Sequence, residues 1–211
     1  MYIPGQPEVN REHALAAAQL WGADPLSVEH IGDFGNSVYA VVRGGEKVIL
    51  RLTAPSFRSC SDNRAELEYL QHLDGCGVRV NVPLASRSGA LLEQVAVGDR
   101  SLLASLFTWA PGEFVDRDSA IWGAPFFRAW GAALGNIHRA SRSFRPAGAA
   151  RRWHWFEEGL IADARSLIPV DDRLSLHELE TLLGWFARLP VTDQIYGMTH
   201  ADFGPRNFNY H

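Results

Sequence analysis

Thr199-His200-Ala201-Asp202-Phe203-Gly204-Pro205-Arg206-Asn207 is the stretch on which the reading of this 211-residue chain turns. A histidine two residues before an aspartate, with an asparagine five residues after it, is the spacing of a phosphoryl-transfer loop. Asp202 is the expected catalytic base or hydroxyl-orienting group, because a carboxylate must lie within hydrogen-bond reach of the proton being lost. Asn207 offers a neutral carbonyl oxygen to Mg2+, a hard ion that takes oxygen ligands. His200 is expected to brace the loop, and Phe203-Gly204-Pro205 is turn chemistry in its own right. A further metal-binding aspartate belongs on the hairpin after such a loop, and none follows Asn207 before His211. The expectation is therefore an incomplete helical region, impaired Mg2+ binding and little or no turnover. A truncated piece, a naturally short product and a sequence given in part all remain open.

Upstream, Gly32-Asp33-Phe34-Gly35-Asn36-Ser37 lies between two expected strands, and its backbone amides can face a triphosphate. Gly35, Asn36 and Ser37 are the candidate contacts, although Gly and Asn also populate ordinary hairpin turns. Arg51 sits inside the apolar strand Val48-Ile49-Leu50-Arg51-Leu52, where a charge needs a partner or solvent. Glu66 on the following helix is the natural partner, and a strand cation paired with a helix carboxylate holds α- and β-phosphates. An ion pair without function, or an edge strand with Arg51 in water, is the alternative.

The rest of the chain orders itself around these pieces. Val9 to Trp21 reads as a helix closed by Gly22, followed by strands at Val28 to Ile31, Val38 to Val42 and Val48 to Leu52, with Arg43-Gly44-Gly45-Glu46 as a hairpin. Ser59 and Asp62 form a capping box for a helix whose Leu67, Leu70 and Leu73 make one stripe, ending at Gly75. Asn81 to Leu84, Ala90 to Val97 and Ser101 to Trp109 read as extended. Ala110-Pro111-Gly112 marks the expected boundary between residues 1–109, a β-rich nucleotide-binding lobe, and residues 110–211, a helical lobe. In the latter, Ala124 to Ala140 should bury Phe127, Trp130, Leu134 and Ile137, and Arg152 to Ile168 and Leu174 to Leu189 should be two more helices. This is the segregated α+β pattern of two lobes around a cleft.

Composition excludes several classes. The formal charge of -4 argues against a nucleic-acid binder and suits a cationic small substrate. No apolar run is long enough to span a membrane. Cys60 and Cys76, without a signal sequence, read as reduced thiols in the cytoplasm. His138 reads as a buried core histidine, and Arg151-Arg152-Trp153-His154-Trp155 as a helix with solvated Arg and buried Trp. Acidic residues at Glu157-Glu158, Asp163 and Asp171-Asp172 read as a solvated face, with attraction of a cationic acceptor as the alternative.

Taken in order, Gly35-Asn36-Ser37-Val38-Tyr39, the Arg51 strand, Glu66-Leu67-Glu68-Tyr69-Leu70, Gly112-Glu113, Leu134-Gly135-Asn136-Ile137-His138 and the terminal loop resemble the aminoglycoside phosphotransferase and homoserine kinase type II superfamily. The resemblance implies a bilobal protein-kinase-like fold, with an antiparallel N-lobe and a helical C-lobe. It implies ATP and Mg2+ as cofactors, and a small-molecule hydroxyl acceptor such as an aminoglycoside, amino alcohol or homoserine-like metabolite. Arg51 takes the place of the phosphate-binding lysine, Glu66 of its helix partner, Asp202 of the catalytic carboxylate and Asn207 of a metal ligand. The backbone of Phe107-Thr108-Trp109 would meet adenine. Arg in place of Lys exchanges a point charge for a planar fork. An incomplete helical lobe would leave apolar surface that a homodimer could cover. A non-catalytic nucleotide-binding module or pseudokinase, and a Ser/Thr protein kinase of the same fold, are the alternative functions.

Overall fold

The computed structural model describes residues 9–33, 35–98, 100–147 and 152–211. Phe34 of the glycine turn, Arg151 and residues 1–8 lie outside them. The first helix, α1 (Arg11–Trp21), starts at Asn10, whose side chain accepts from the backbone of Glu12 and His13, and ends at Gly22 in the left-handed region. Strands β1 (Asp24–Asp33), β2 (Ser37–Arg43) and β3 (Glu46–Thr53) follow as an antiparallel meander. Helix α2 (Cys60–Gly75) opens with the reciprocal Ser59 and Asp62 capping box. Then come β4 (Pro83–Leu84), β5 (Glu93–Val97) and β6 (Arg100–Thr108). Among the described residues the sheet order is β1-β2-β3-β6-β4, with β5 also paired to β6.

The sheet has two differently used faces. Val48, Leu50 and Leu52 of β3, with Leu102, Ala104 and Leu106 of β6, point to α1 and bury Ala14, Ala18 and Trp21 beneath them. The indole of Trp21 donates to the Leu84 carbonyl at 2.7 Å, tying α1 to β4. Period-two alternation sends Arg51, opposite Ser105 in the ladder, to the other face, where α2 lies.

After Thr108 the chain is helical, with α3 (Ala124–Ser141), α4 (Gly159–Leu167) and α5 (Arg173–Ala187). The protein is thus α+β. On α3 the buried residue is Phe126, while the expected Phe127 is 44% exposed. The true stripe runs Phe126, Trp130, Leu134, Ile137, because the ring cluster around Phe208 and Tyr210 engages Phe126. The single helix expected over Arg152 to Ile168 is broken: a 3-10 turn spans Trp155–Glu157, and Glu158 is extended (ψ 128°) before α4 begins. Glu158 and Asp172 cap α4 and α5 through the backbone N–H groups of Ile161 and Ser175, so this acidic pattern marks helix starts. Helices α2 and α3 meet through a Tyr69 to Ser141 hydroxyl contact and a core of Tyr69, Leu73, Ile137 and Ala140, with Phe203 packed against it.

Candidate active site

The strand cation and the helix carboxylate meet. Arg51 Nη1 donates to Glu66 Oε1 at 2.6 Å, the two side chains being 16% and 23% exposed. The guanidinium lies 4.8 Å over the Phe107 ring. Its Nε and Nη2 are buried without an acceptor among the described residues. Unused guanidinium donors out of water are costly, so an anion reaching them is favoured.

Burial pushes the Glu66 carboxyl up, but the charge and hydrogen bond of Arg51, with Arg152 and Arg58 beyond, hold it below the ordinary glutamate value. A depressed folded-state value means that ionised Glu66 contributes stability above the unfolded pKa, and that this is lost as pH falls through the folded one. The parent should therefore lose more thermal stability than Glu66→Gln as pH drops below about 4.3. Parallel stability profiles for the two proteins would refute this.

In the glycine turn, Gly35 has φ 75° and approaches Phe57 so closely that a Cβ would stand 2.5 Å from Cζ. The side-chain amide oxygen of Asn36, Oδ1, accepts from the Thr53 hydroxyl at 2.7 Å. Ser37 is buried and hydrogen-bonds Asp33. Both side chains thus serve the turn itself. At the expected adenine contact, the Thr108 N–H donates to Val82 O at 2.9 Å and the Thr108 carbonyl accepts from Asn81 Nδ2 at 2.8 Å. Phe107 is paired in the ladder between Ile49 and Pro83, so the backbone reading moves to Trp109, past the end of β6. The Trp109 ring is 40% exposed and carries Lys47 Nζ at 4.4 Å.

The terminal loop is a closed turn. Ala201 takes φ 63°, Asp202 N–H donates to His200 O at 2.8 Å, and Asn207 N–H donates to Gly204 O at 3.0 Å. Asn207 Nδ2 donates to the Asp202 carbonyl at 2.6 Å. The amide oxygen of Asn207 is then the end left for a cation, and the exposed Asp202 carboxylate the end left for a hydroxyl. Both are hard oxygen donors and fit a Mg2+-type ion. No cage of three or more His, Cys, Asp or Glu occurs among the described residues. The His200 ring packs tilted against Phe203, with ring centroids 5.0 Å apart. His138 is exposed, with Nε2 3.2 Å from Thr199 Oγ1, and is not the core histidine its helix position suggested.

Among the described residues no hydrogen bond or ion pair joins the Arg51–Glu66 pair to Asp202 or Asn207; what α2 and the loop share is the core of Tyr69, Leu73, Ile137 and Ala140, with Phe203 packed against it. Sequence reasoning missed the clamp on the loop. Trp130 Nε1 donates to Phe203 O at 2.9 Å, Phe203 and Phe208 stack, and Glu113 bridges Tyr210. Gly112 is what lets that bridge form: at φ 91°, its missing Cβ would stand 2.3 Å from the Tyr210 carbonyl oxygen. Gly112→Ala should cost about 2–3 kcal/mol, from strained backbone and a blocked bridge. Gly44→Ala, strained at φ 60° but in open space, should cost less; equal costs by urea unfolding would count against the clamp. Also missed is Arg152, expected in solvent on a helix. It is instead 28% exposed, off any helix, and 4.0 Å from Glu66 Oε2, while Trp153, expected buried, is 46% exposed.

Comparison with known proteins matches residues 28–211 to the family described as "Phosphotransferase enzyme family". A curated relative, the amicoumacin kinase of Bacillus subtilis (strain 168), is 31% identical over 204 residues, covering 95% of this chain and 60% of the relative. Among solved structures, an amicoumacin kinase in complex with AMP-PNP, Ca2+ and Ami superposes with TM-score 0.88 at 26% identity, covering 97% of this chain and 61% of that one. A microcompartment-associated aminopropanol kinase shares the fold at TM-score 0.73 and 19% identity, covering 92% and 62%. The chain thus spans about 60% of the length of the curated relative. No helix is long and apolar enough to cross a membrane among the described residues.

Proposed function

Because this chain belongs to the phosphotransferase enzyme family, we propose that it forms the nucleotide site and catalytic loop of an ATP-dependent kinase acting on a hydroxyl of a small polar acceptor. The observation that carries the reading is the Arg51–Glu66 pair with two buried guanidinium donors left over. Residues 1–109 act as the nucleotide-binding lobe and residues 110–211 as the helical lobe. The turn at Gly35, Asn36 and Ser37 covers the phosphates with its backbone. Arg51, fixed by Glu66, turns Nε and Nη2 to the α- and β-phosphates. Adenine lies against the Phe107 to Trp109 stretch, with Trp109 supplying the backbone.

Asp202 accepts the proton from the acceptor hydroxyl as its oxygen attacks the γ-phosphorus. The bond from that phosphorus to the β-γ bridging oxygen breaks, and ADP leaves with the electron pair. Asn207, with oxygens of the nucleotide, would hold Mg2+, which supplies neutralisation of phosphate charge. The relatives named for amicoumacin make it the first acceptor to try. Calorimetric titration with ATP, with and without Mg2+, is the direct test. Mg2+-dependent binding supports the kinase reading. Metal-independent binding favours a non-catalytic nucleotide module, and no binding removes both.

A further inference from the structure

The carboxylate of Glu66 has two oxygens, and the strand arginine uses one. Arg51 Nη1 lies at 2.6 Å from Oε1, whereas Nη1 of Arg152 stands 4.0 Å from Oε2. Arg152 comes from the stretch between α3 and α4, far along the chain from β3 and α2. Its Nη1 also lies 3.5 Å from the Asp62 carbonyl oxygen, and the indole N–H of neighbouring Trp153 donates to Asp62 Oδ1 at 2.9 Å. Arg58 stands 5.7 Å over the Trp153 ring. Two consecutive side chains therefore grip the first turns of the helix that carries Glu66. A glutamate held at one oxygen keeps the broad terminal torsion of its carboxylate, and an arginine hanging from it swings too. With Arg152 at 4.0 Å on its other side, the carboxylate meets a second positive charge that favours one orientation of it.

We propose that Arg152 is a positioning residue of the nucleotide site: it holds the second oxygen of Glu66, so that Glu66 keeps the two spare donors of Arg51 aimed at phosphate. The proposal rests on the kinase reading above. Arg152 acts through Glu66 and does not itself meet the nucleotide. It also makes Arg152 and Trp153 a structural part of the phosphate site, although they are remote from β3 in sequence.

The test uses the 211-residue chain with Arg152→Met, Arg152→Lys, Glu66→Gln and the Arg152→Met/Glu66→Gln double variant, each read by ATP titration and by thermal unfolding. Arg152→Met should weaken ATP binding about tenfold, the order of one charge-assisted contact, and Arg152→Lys should regain most of it. In the Glu66→Gln background the same Arg152→Met change should do nothing beyond about twofold, because the carboxylate it acts through is already gone. Equal losses in both backgrounds would overturn the proposal by giving Arg152 a direct phosphate contact or an unrelated role. A lower melting temperature with unchanged affinity would also overturn it, leaving a merely structural ion pair. The parent chain reports separately on the kinase reading: if it binds no ATP, that reading and the positioning role fall together. A lost affinity confined to the variants is a result about Arg152 alone.

Discussion

If the kinase reading proposed above holds and the parent turns over with amicoumacin as trial acceptor, Asp202→Asn should lower that phosphoryl transfer, read as ADP release, by about 10^2–10^4-fold. ATP affinity should stay within about twofold of the parent, since the group acts only on the proton in flight. The reasoning lies in the loop's construction. Asp202 takes its place from backbone bonds, its N–H to His200 O and its carbonyl from Asn207 Nδ2. Its carboxylate is left exposed. An asparagine keeps the shape and those backbone bonds but cannot accept a proton at neutral pH. A variant with near-parental turnover would remove Asp202 from the chemistry. A large loss of ATP affinity would instead assign it to binding.

Arg51→Met should be the most damaging change in the β-rich region, and in two separable ways. It strips a largely buried carboxylate of its hydrogen-bonded partner, a loss of about 3 kcal/mol, held to the low end of such losses because Arg152 still faces the other oxygen. For a chain of this size that corresponds to a melting temperature lower by about 6–12 °C. It also deletes the donors proposed for phosphate, so ATP affinity should fall by about 100-fold or more. The Arg51→Met/Glu66→Leu double variant separates the two, since replacing both members of a buried pair with apolar groups can restore stability. Stability should return while affinity stays lost. Return of both would mean that Arg51 serves only the fold.

How far the sequence could be read depended on whether a residue's neighbours were local. The meander of β1 to β3, the cap at Ser59 and the stop at Gly22 depend on positions within a few residues of one another, and each is found where expected. The Arg51–Glu66 contact was legible because a charge inside an apolar strand must find a partner, and α2 comes next in the chain. Arg152 was not legible, because its partner belongs to a helix already passed, and Arg-Trp-His-Trp has no period that announces a buried cation. Only the first member of the α3 stripe was misread, for the same reason. Phe126 and Phe127 are equally apolar, and only the rings of Phe208 and Tyr210 choose between them. Thr108 shows the converse: its place in the strand was foreseen, but not that a side chain, Asn81, would occupy its carbonyl.

The bridge between Glu113 and Tyr210, reinforced by Asn209 donating to Ala110 across 99 residues, makes the whole helical region a noose drawn shut at its neck. A protease cut within the segment joining α3 to α4 would sever the chain without freeing either piece. The C-terminal fragment would still carry Asp202 and Asn207, pinned beside Trp130 by the same rings. Nicked protein should therefore elute as one body under native conditions and separate only in denaturant, so backbone continuity through this region and integrity of the terminal loop are independent properties.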